Sequence, residues 1–265
     1  MPTLPATGDE GSLVVVGSGI RPGRHLTRET RSCIERADDV LYLLAELAPT
    51  SWLHQLNPSA ESMIEIYRPG LDQREVYEEL VERVLERVRQ GRNVCMVTYG
   101  HPAVLDDSCH EAVRRARAEG YPASLLPAVS AIDCLLADLE VDPGRDGLQL
   151  YEATDFLLHR RAIDVSVPLV LWQISVIGET RTADTVNREG LALLADRLQE
   201  LYGADHEVVI YEATPFSVGH PTIVRSSVKE LATAPVEGLS TLFVPAMPKP
   251  EPDLAVQEAL RLIGG

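Results

Sequence analysis

The stretch that most constrains the fold of this chain is NVCMVTYGHPAVL, residues 93–105. Its apolar and β-branched run, 94–98, predicts a buried strand, and the Tyr-Gly-His-Pro sequence that follows predicts a sharp turn at the carboxyl end of that strand. In open α/β sheets small ligands bind at this end of the strands. A plain strand-end turn explains the pattern as well as a ligand-binding loop does, so both interpretations stand at this point.

The segments on either side of this stretch predict alternating strands and helices. A first strand at 12–16 precedes a helix at 27–37, a second strand at 40–44 and an amphipathic helix at 75–90. After the 94–98 strand, Ser108 and Glu111 have the spacing of a capping box for a helix that ends at Gly120. Such alternation predicts an α/β fold with a mostly parallel sheet.

The second half of the chain has more strands and fewer crossover helices. One helix is predicted at 187–202, and the strands are predicted at 147–153, 168–174, 207–213 and 240–245. This half is therefore predicted to be mixed and partly antiparallel. The predicted organisation is a flexible tail at 1–11, an N-terminal α/β domain at 12–123, a C-terminal mixed α/β domain at 124–246, and a Pro-rich linker with a short helix at 247–265.

Composition excludes several classes of function. The chain has 40 acidic and 24 basic residues, a formal charge of −16, which disfavours nucleic acid and anionic lipid as partners. No apolar span is long enough to cross a membrane, and four widely spaced cysteines predict reduced thiols in the cytoplasm. Seven scattered histidines predict no metal site. The Gly17-Ser18-Gly19 turn has Pro22 where a dinucleotide site needs a third glycine.

Three segments in this order, GSGIRPGRHLT, TYGHPAVL and LLPAVSAIDCLLADL, resemble the tetrapyrrole methylase superfamily. The further segments YEATDFLLHRR, LWQISVIG, ADHEVVIYEA and LSTLFVP resemble the borosin peptide backbone α-N-methyltransferases within it. The resemblance runs from about residue 12 to residue 245. It implies two α/β domains of the tetrapyrrole methylase type, with the cofactor S-adenosylmethionine in a cleft between them, and a homodimer.

The resemblance also implies roles for individual positions. The cofactor-binding residues that it implies are Tyr99, His101, Val104, Ala131, Gln173, Ala213, Ser240 and Thr241. The catalytic residues are Tyr99, Tyr77, Tyr67 and Arg74. A tyrosine acts as a base near neutral pH only where a nearby cation lowers its pKa from roughly 10, so the chemistry itself calls for an arginine beside these rings.

The sequence departs from the borosin pattern at that arginine. With Gly70 and Tyr77 as anchors, the family's arginine position holds Gln73, and Arg74 follows one residue later, about 100° further round a helix. Arg68 is the alternative source of the charge.

The substrate that the resemblance implies is a precursor peptide. Fused borosins carry their target as a C-terminal extension, and the segment that ends at Gly265 is too short for tether and target, so the precursor is expected to be a separate molecule. The alternatives are methylation of a small-molecule natural product and a non-catalytic cofactor-binding homologue. In the C-terminal segment, Leu254, Val256, Leu260 and Ile263 have helical spacing and need a surface to cover, which also favours a homodimer.

Overall fold

The computed structural model of the protein describes residues 10–44, 50–68, 70–181, 185–216 and 218–263, with residues 262 and 263 described by their backbone alone. Of the predicted tail at 1–11, residues 1–9 lie outside the described ranges. The chain divides into two compact units. The first comprises Met1–Val141, Glu179–Asp184 and Glu212–Thr222, and the second comprises Asp142–Gly178, Thr185–Tyr211 and Ile223–Gly265.

The first unit contains a five-stranded sheet in the order β3-β2-β4-β1-β5, and every pairing with a recorded register is parallel. Parallel neighbours need crossover connections, which are mostly helices here. The strands are β1 (Ser12–Gly17), β2 (Asp39–Leu43), β3 (Glu61–Ser62), β4 (Asn93–Thr98) and β5 (Ala123–Leu125). The helices are α1 (Arg28–Arg36), α2 (Ser51–Leu56), α3 (Gln73–Arg89), α4 (Asp107–Ala118) and α5 (Ala131–Asp138).

Both faces of this sheet are buried. Alternate residues of β4 belong to two different cores, because successive side chains of a strand point to opposite faces. Val94 and Met96 pack in the core that α3 and α4 cover. Cys95 and Val97 pack in the core that contains buried residues of α1. This double burial explains why the strand is apolar throughout.

The second unit contains a mixed sheet in the order β6-β7-β10-β8-β9, which confirms the predicted mixed character of this half. β6 (Gln149–Glu152) runs parallel to β7 (Leu169–Trp172), whereas β10 (Thr241–Val244) is antiparallel to both β7 and β8 (Glu207–Glu212). β9 (Thr222–Ser227) and β6 are the two edge strands. The helices are α6 (Pro143–Asp146), α7 (Ala153–Leu158), α8 (Arg188–Tyr202) and α9 (Leu254–Ile263).

One predicted cap is wrong. Ser108 does not cap α4; the cap is Asp106, whose side chain accepts a hydrogen bond from the Cys109 amide at 3.2 Å. Ser108 instead lies within the first turn and donates its hydroxyl proton to Asp106 at 2.6 Å. Aspartate and serine are about equally good N-caps, so the sequence allows the helix to start after either residue. In the structure the N-cap is Asp106.

The elements of the sequence analysis recur in the structure with small shifts at their ends, and the elements that it did not predict include α2, α6, α7, β3 and β9. The domain division near residue 124 stays a prediction, since compact units within one chain need not coincide with folding domains. Over the described ranges, the structure contains no helix with the length and apolar character that a bilayer crossing requires.

Candidate functional site

Two turns meet at the carboxyl edge of the first sheet. β1 and β4 are parallel neighbours, so their ends lie side by side, and Gly19 and Gly100 exchange two backbone hydrogen bonds of 3.2 Å. Gly17 has no room for a side chain: a Cβ atom there would lie 2.0 Å from the carbonyl oxygen of Gly100. The glycines therefore allow the two turns to pack closely and form a rigid unit at this edge of the sheet.

Tyr99, the first residue after β4, fixes the start of its turn. Its amide donates to the carbonyl of Leu43 at 3.1 Å, and its half-buried ring packs on the core shared with α1. The pKa of Tyr99 is raised to about 12, mainly by burial and then by the thiol of Cys134 and the carboxylate of Glu212. A half-buried ring with a carboxylate acting on it suits a cationic group, because both attract positive charge.

His101 and Val104 complete this turn. The Nδ1 atom of His101 accepts a hydrogen bond from the amide of Ala103 at 3.0 Å, and its carbonyl accepts one from Val104 at 3.0 Å. An Nδ1 that accepts carries no proton, so in the neutral ring Nε2 is the donor. Ala131, half-buried, is the first residue of α5 and lies within the capping box formed by Ser130 and Asp133.

A second group of polar residues lies where α3 begins. Tyr77, on α3, and Tyr67, which follows a 3₁₀ turn at Ile64–Ile66, lie close enough for each to act on the pKa of the other. Tyr77 raises the pKa of Tyr67, whereas Tyr67 lowers that of Tyr77. The Nε2 atom of Gln73 also donates to the Tyr77 oxygen, at 2.9 Å.

Asp106 adds a negative charge to this pair. Burial is the largest cause of the raised pKa of both Tyr67 and Tyr77, and the Asp106 carboxylate raises both further. The same carboxylate, after burial, raises the pKa of the neighbouring Cys109 thiol. The electrostatic setting therefore keeps both phenols protonated near neutral pH, which is the reverse of the cation-activated tyrosine expected from the sequence.

The structure brings Tyr67 and Tyr77 together but places Tyr99 elsewhere. Tyr67 and Tyr77 pack against the core that contains Val94 and Met96, whereas Tyr99 packs against the core on the opposite face of β4. The three predicted catalytic tyrosines thus lie on two sides of one sheet.

The two predicted arginines lie on the surface. Arg74 is exposed, and its backbone amide donates to the capping carboxylate of Asp72 at 2.8 Å. Its side chain lines an open cavity of about 400 Å³ that Tyr77 also lines. Arg68 forms a 3.0 Å ion pair with Glu79 on the exposed side of α3.

In the second unit, Gln173 follows β7 with a φ of 57°, a left-handed conformation that is uncommon for a residue other than glycine. Its carbonyl accepts a hydrogen bond from Val176 at 3.1 Å. Ser240 and Thr241, at the start of β10, are buried, and the Ser240 hydroxyl accepts from the Glu237 amide at 2.8 Å.

Ala213, the last of the predicted cofactor residues, is half-buried directly after β8. Among the residues that the structure describes, no group of three or more His, Cys, Asp or Glu side chains could hold a metal ion.

Gln73 and Asp106 belong to the tyrosine group although the sequence analysis gave neither a role in the site. A signal for Gln73 was present, since residues four apart on a helix are neighbours and Gln73 precedes Tyr77 by four. The sequence gives little indication that Asp106 belongs to the group, because its proximity to Tyr67 and Tyr77 comes only from the tertiary packing of α3 on α4.

Comparison with known proteins identifies the relatives of this chain. Residues 12–232 match the family model of the tetrapyrrole (corrin/porphyrin) methylases. The chain is 35% identical over 258 residues to a methyltransferase and cyclic gymnopeptide precursor of Gymnopus fusipes, covering 96% of this chain and 61% of that protein. It is 33% identical over 258 residues to the methyltransferase and omphalotin A precursor of Omphalotus olearius, covering 96% and 62% respectively. The chain thus spans about three fifths of the length of these relatives.

Solved structures support the fold. The chain superimposes on a uroporphyrin-III C-methyltransferase from Thermus thermophilus with a TM-score of 0.65, 18% identity, and coverage of 91% of this chain and 98% of that one. The corresponding values for a cobalt precorrin-4 methyltransferase are 0.64, 19%, 92% and 98%. At these identities the likeness concerns the fold alone.

Proposed function

Because the chain belongs to the tetrapyrrole methylase family, we propose that it is an S-adenosylmethionine-dependent methyltransferase that N-methylates backbone amides of a precursor peptide. The names of the fungal relatives combine a methyltransferase with a cyclic-peptide precursor, which supports both parts of the proposal. The observation in the structure that carries it is the neighbouring pair of Tyr67 and Tyr77, with Tyr77 lining an open cavity.

The proposed cofactor residues include the turn after β4. When bound, S-adenosylmethionine supplies an electrophilic methyl group on a positively charged sulfur. The half-buried ring of Tyr99, with the carboxylate of Glu212 acting on it, fits that positive charge. The roles of His101, Val104, Ala131, Gln173, Ala213, Ser240 and Thr241 as cofactor contacts remain part of the same proposal.

Tyr77 is proposed to handle the proton of the amide. The lone pair of an amide nitrogen is delocalised into the carbonyl group, so the N–H proton must leave as the new N–C bond forms. The proton passes to the ionised oxygen of Tyr77, and the electron pair of the broken sulfur–carbon bond stays on sulfur. Gln73 holds the Tyr77 oxygen by donating a hydrogen bond to it, and Tyr67 lies beside the same hydroxyl.

If Tyr77 is the base, the rate of methylation depends on pH. The raised pKa of Tyr77 means that only a small fraction of this phenol is ionised near neutral pH. If the ionised form is the base, the rate rises with pH until that pKa is reached. The proposed function therefore includes an alkaline preference.

The test combines binding with product analysis. Calorimetry on the purified protein should detect S-adenosylmethionine and its demethylated product; no heat with either, on folded protein, would refute the proposal. Incubation with a separate synthetic peptide that carries a precursor segment of a fungal relative should then add the mass of one CH₂ per methyl group. Fragmentation that places these groups on backbone nitrogens supports the peptide substrate acting as a separate molecule.

Other outcomes of the same experiment select the alternatives. Cofactor binding with methylation of small natural products but not of peptides favours a small-molecule methyltransferase. Cofactor binding without any transfer favours a non-catalytic homologue.

We further propose a cytoplasmic homodimer. All four cysteines lie among the described residues as free thiols, and three of them are buried, which suits a reducing compartment. On α9, Val256 and Leu260 lie one turn apart and expose 53% and 63% of their surface. Exposed apolar side chains at helical spacing favour burial against a second copy.

A further inference from the structure

The hydroxyl of Tyr77 has a donor that neither arginine provides. Gln73 and Tyr77 are four residues apart on α3, and the Gln73 amide nitrogen lies 2.9 Å from the Tyr77 oxygen. An amide nitrogen can only donate, so the Tyr77 oxygen is the acceptor. Tyr67 lies beside the same hydroxyl and also acts on its pKa. The hydrogen bond from Gln73 therefore fixes one side of the Tyr77 hydroxyl.

The backbone of Gln73 is anchored as well. Its amide donates to the carbonyl of Thr180 at 3.0 Å, and the neighbouring residue Asp72 forms an isolated antiparallel bridge with Arg181. Asp72 also caps α3 through its side chain. With the backbone held by three contacts at the start of the helix, the side chain of Gln73 reaches Tyr77 from a fixed point.

Arg74 lies one residue further along the helix, about 100° away. It borders the cavity that Tyr77 lines, and with Glu75, Glu78, Glu79 and Glu82 it also lines a shallow surface depression. Carboxylates therefore lie beside its charge on the exposed side of α3.

We propose that Gln73 is the positioning residue of Tyr77, holding its hydroxyl in place with a neutral hydrogen bond where a cation would otherwise stand. This inference rests on the proposed function, in which Tyr77 contacts the reacting amide. A neutral donor stabilises the ionised phenol less than a guanidinium does, because hydrogen bonds to charged partners are about twice as strong. Gln73 therefore fixes the direction of the Tyr77 proton and leaves the phenol weakly acidic.

The structure provides the variants that test this. Gln73→Leu removes the donor at similar size, and Gln73→Arg replaces it with a charged donor. Arg74→Leu asks whether the adjacent arginine has the role instead. Gln199→Leu, at an exposed position on α8, is the control for loss of a surface glutamine.

The first readout is the ionisation of Tyr77 itself, followed by NMR on protein with labelled tyrosine rings and assigned with Tyr77→Phe. A single neutral hydrogen bond changes an equilibrium by roughly three- to tenfold. Gln73→Leu should therefore raise the Tyr77 pKa by about half to one pH unit. Gln73→Arg should lower it, and Gln199→Leu should leave it unchanged. An unchanged pKa in both Gln73 variants would overturn the proposal, and so would a shift caused by Arg74→Leu alone.

The second readout is the pH profile of methylation, which separates this inference from the proposed function. The alkaline limb should move to higher pH in Gln73→Leu and to lower pH in Gln73→Arg. If the ionisation of Tyr77 shifts but no variant and no wild-type protein methylates a peptide, the function fails and the positioning role stands. If the wild type methylates and neither readout responds to position 73, the positioning role alone is refuted.

Discussion

The joined turns at the edge of the first sheet make a sharp prediction for Gly17→Ala. Glycine to alanine at a compatible backbone conformation normally stabilises a protein by about 0.4–1 kcal/mol, because the unfolded chain loses freedom. At Gly17 the added methyl group would lie 2.0 Å from the carbonyl oxygen of Gly100, 2.6 Å from the Cβ atom of Ala128 and 2.9 Å from the Cδ atom of Pro102. We therefore expect Gly17→Ala to destabilise the protein instead of stabilising it.

The size of this destabilisation depends on which atoms must move to make room for the methyl group. The closest of the three atoms is backbone, and it must shift by about 1 Å before any tolerable contact is reached, so the strain falls on the turn and not on a flexible side chain. Overpacking of this kind costs about 1–3 kcal/mol. For a chain of this size each kcal/mol lowers the melting temperature by about 2–4 °C, so a decrease of several degrees is expected.

The matched control is Gly238→Ala. A Cβ atom at Gly238 meets nothing within 4 Å, and its φ lies outside the left-handed region, so neither clash nor backbone strain arises. Thermal unfolding followed by circular dichroism should show a lower melting temperature for Gly17→Ala and an unchanged or higher one for Gly238→Ala. Calorimetry should also show weaker S-adenosylmethionine binding by Gly17→Ala. Equal melting temperatures for Gly17→Ala and wild type would refute the argument that the turns are rigidly joined.

Three further predictions follow from the same geometry. Tyr77→Phe should slow methylation by roughly 10²- to 10⁴-fold, the usual effect of a lost acid–base group, and Tyr99→Phe should slow it much less, so equal losses in mass-spectrometric rate assays would contradict the assignment. Asp106→Asn keeps the helix cap but removes a negative charge that raises the Tyr77 pKa, so the alkaline limb of the pH–rate profile should move to lower pH; an unmoved limb would mean that Tyr77 is not the titrating base. Leu260→Ser should shift light-scattering mass from dimer toward monomer, and an unchanged dimer would exclude α9 from the interface.

The sequence was sufficient to predict the layers of the fold. α3 begins at Gln73 and ends at Arg89 because its apolar residues recur at helical spacing, which is a local property of the chain. The strand before the Tyr99 turn was equally clear, since an apolar run bounded by glycine and proline leaves few alternatives. By contrast, β9 has exposed and half-buried residues throughout, so it carries no apolar signal from which a strand could be predicted.

Which tyrosines meet could not be predicted in the same way. A strand with one solvated face alternates apolar and polar residues, and the alternation assigns each side chain to a face. β4 is apolar on both faces, so its sequence is silent on the side to which Tyr99 turns. The position of Tyr67 depends on how the 3₁₀ turn before it packs on α3, and that contact is between elements and not within one.

The separation of these groups suggests how one sheet can serve two tasks. The turn after β4 carries Tyr99 toward one core, where burial and Glu212 raise the pKa of its phenol. The opposite core holds Tyr67 and Tyr77, and Gln73 donates a hydrogen bond to the Tyr77 hydroxyl. In the proposed function Tyr99 attracts a positive sulfur, whereas Tyr77 must be ionised before it can accept the amide proton. These two tasks need different surroundings, because the negative charge that helps the first raises the pKa of the second. Placing them on two faces of β4 allows each to be adjusted without disturbing the other.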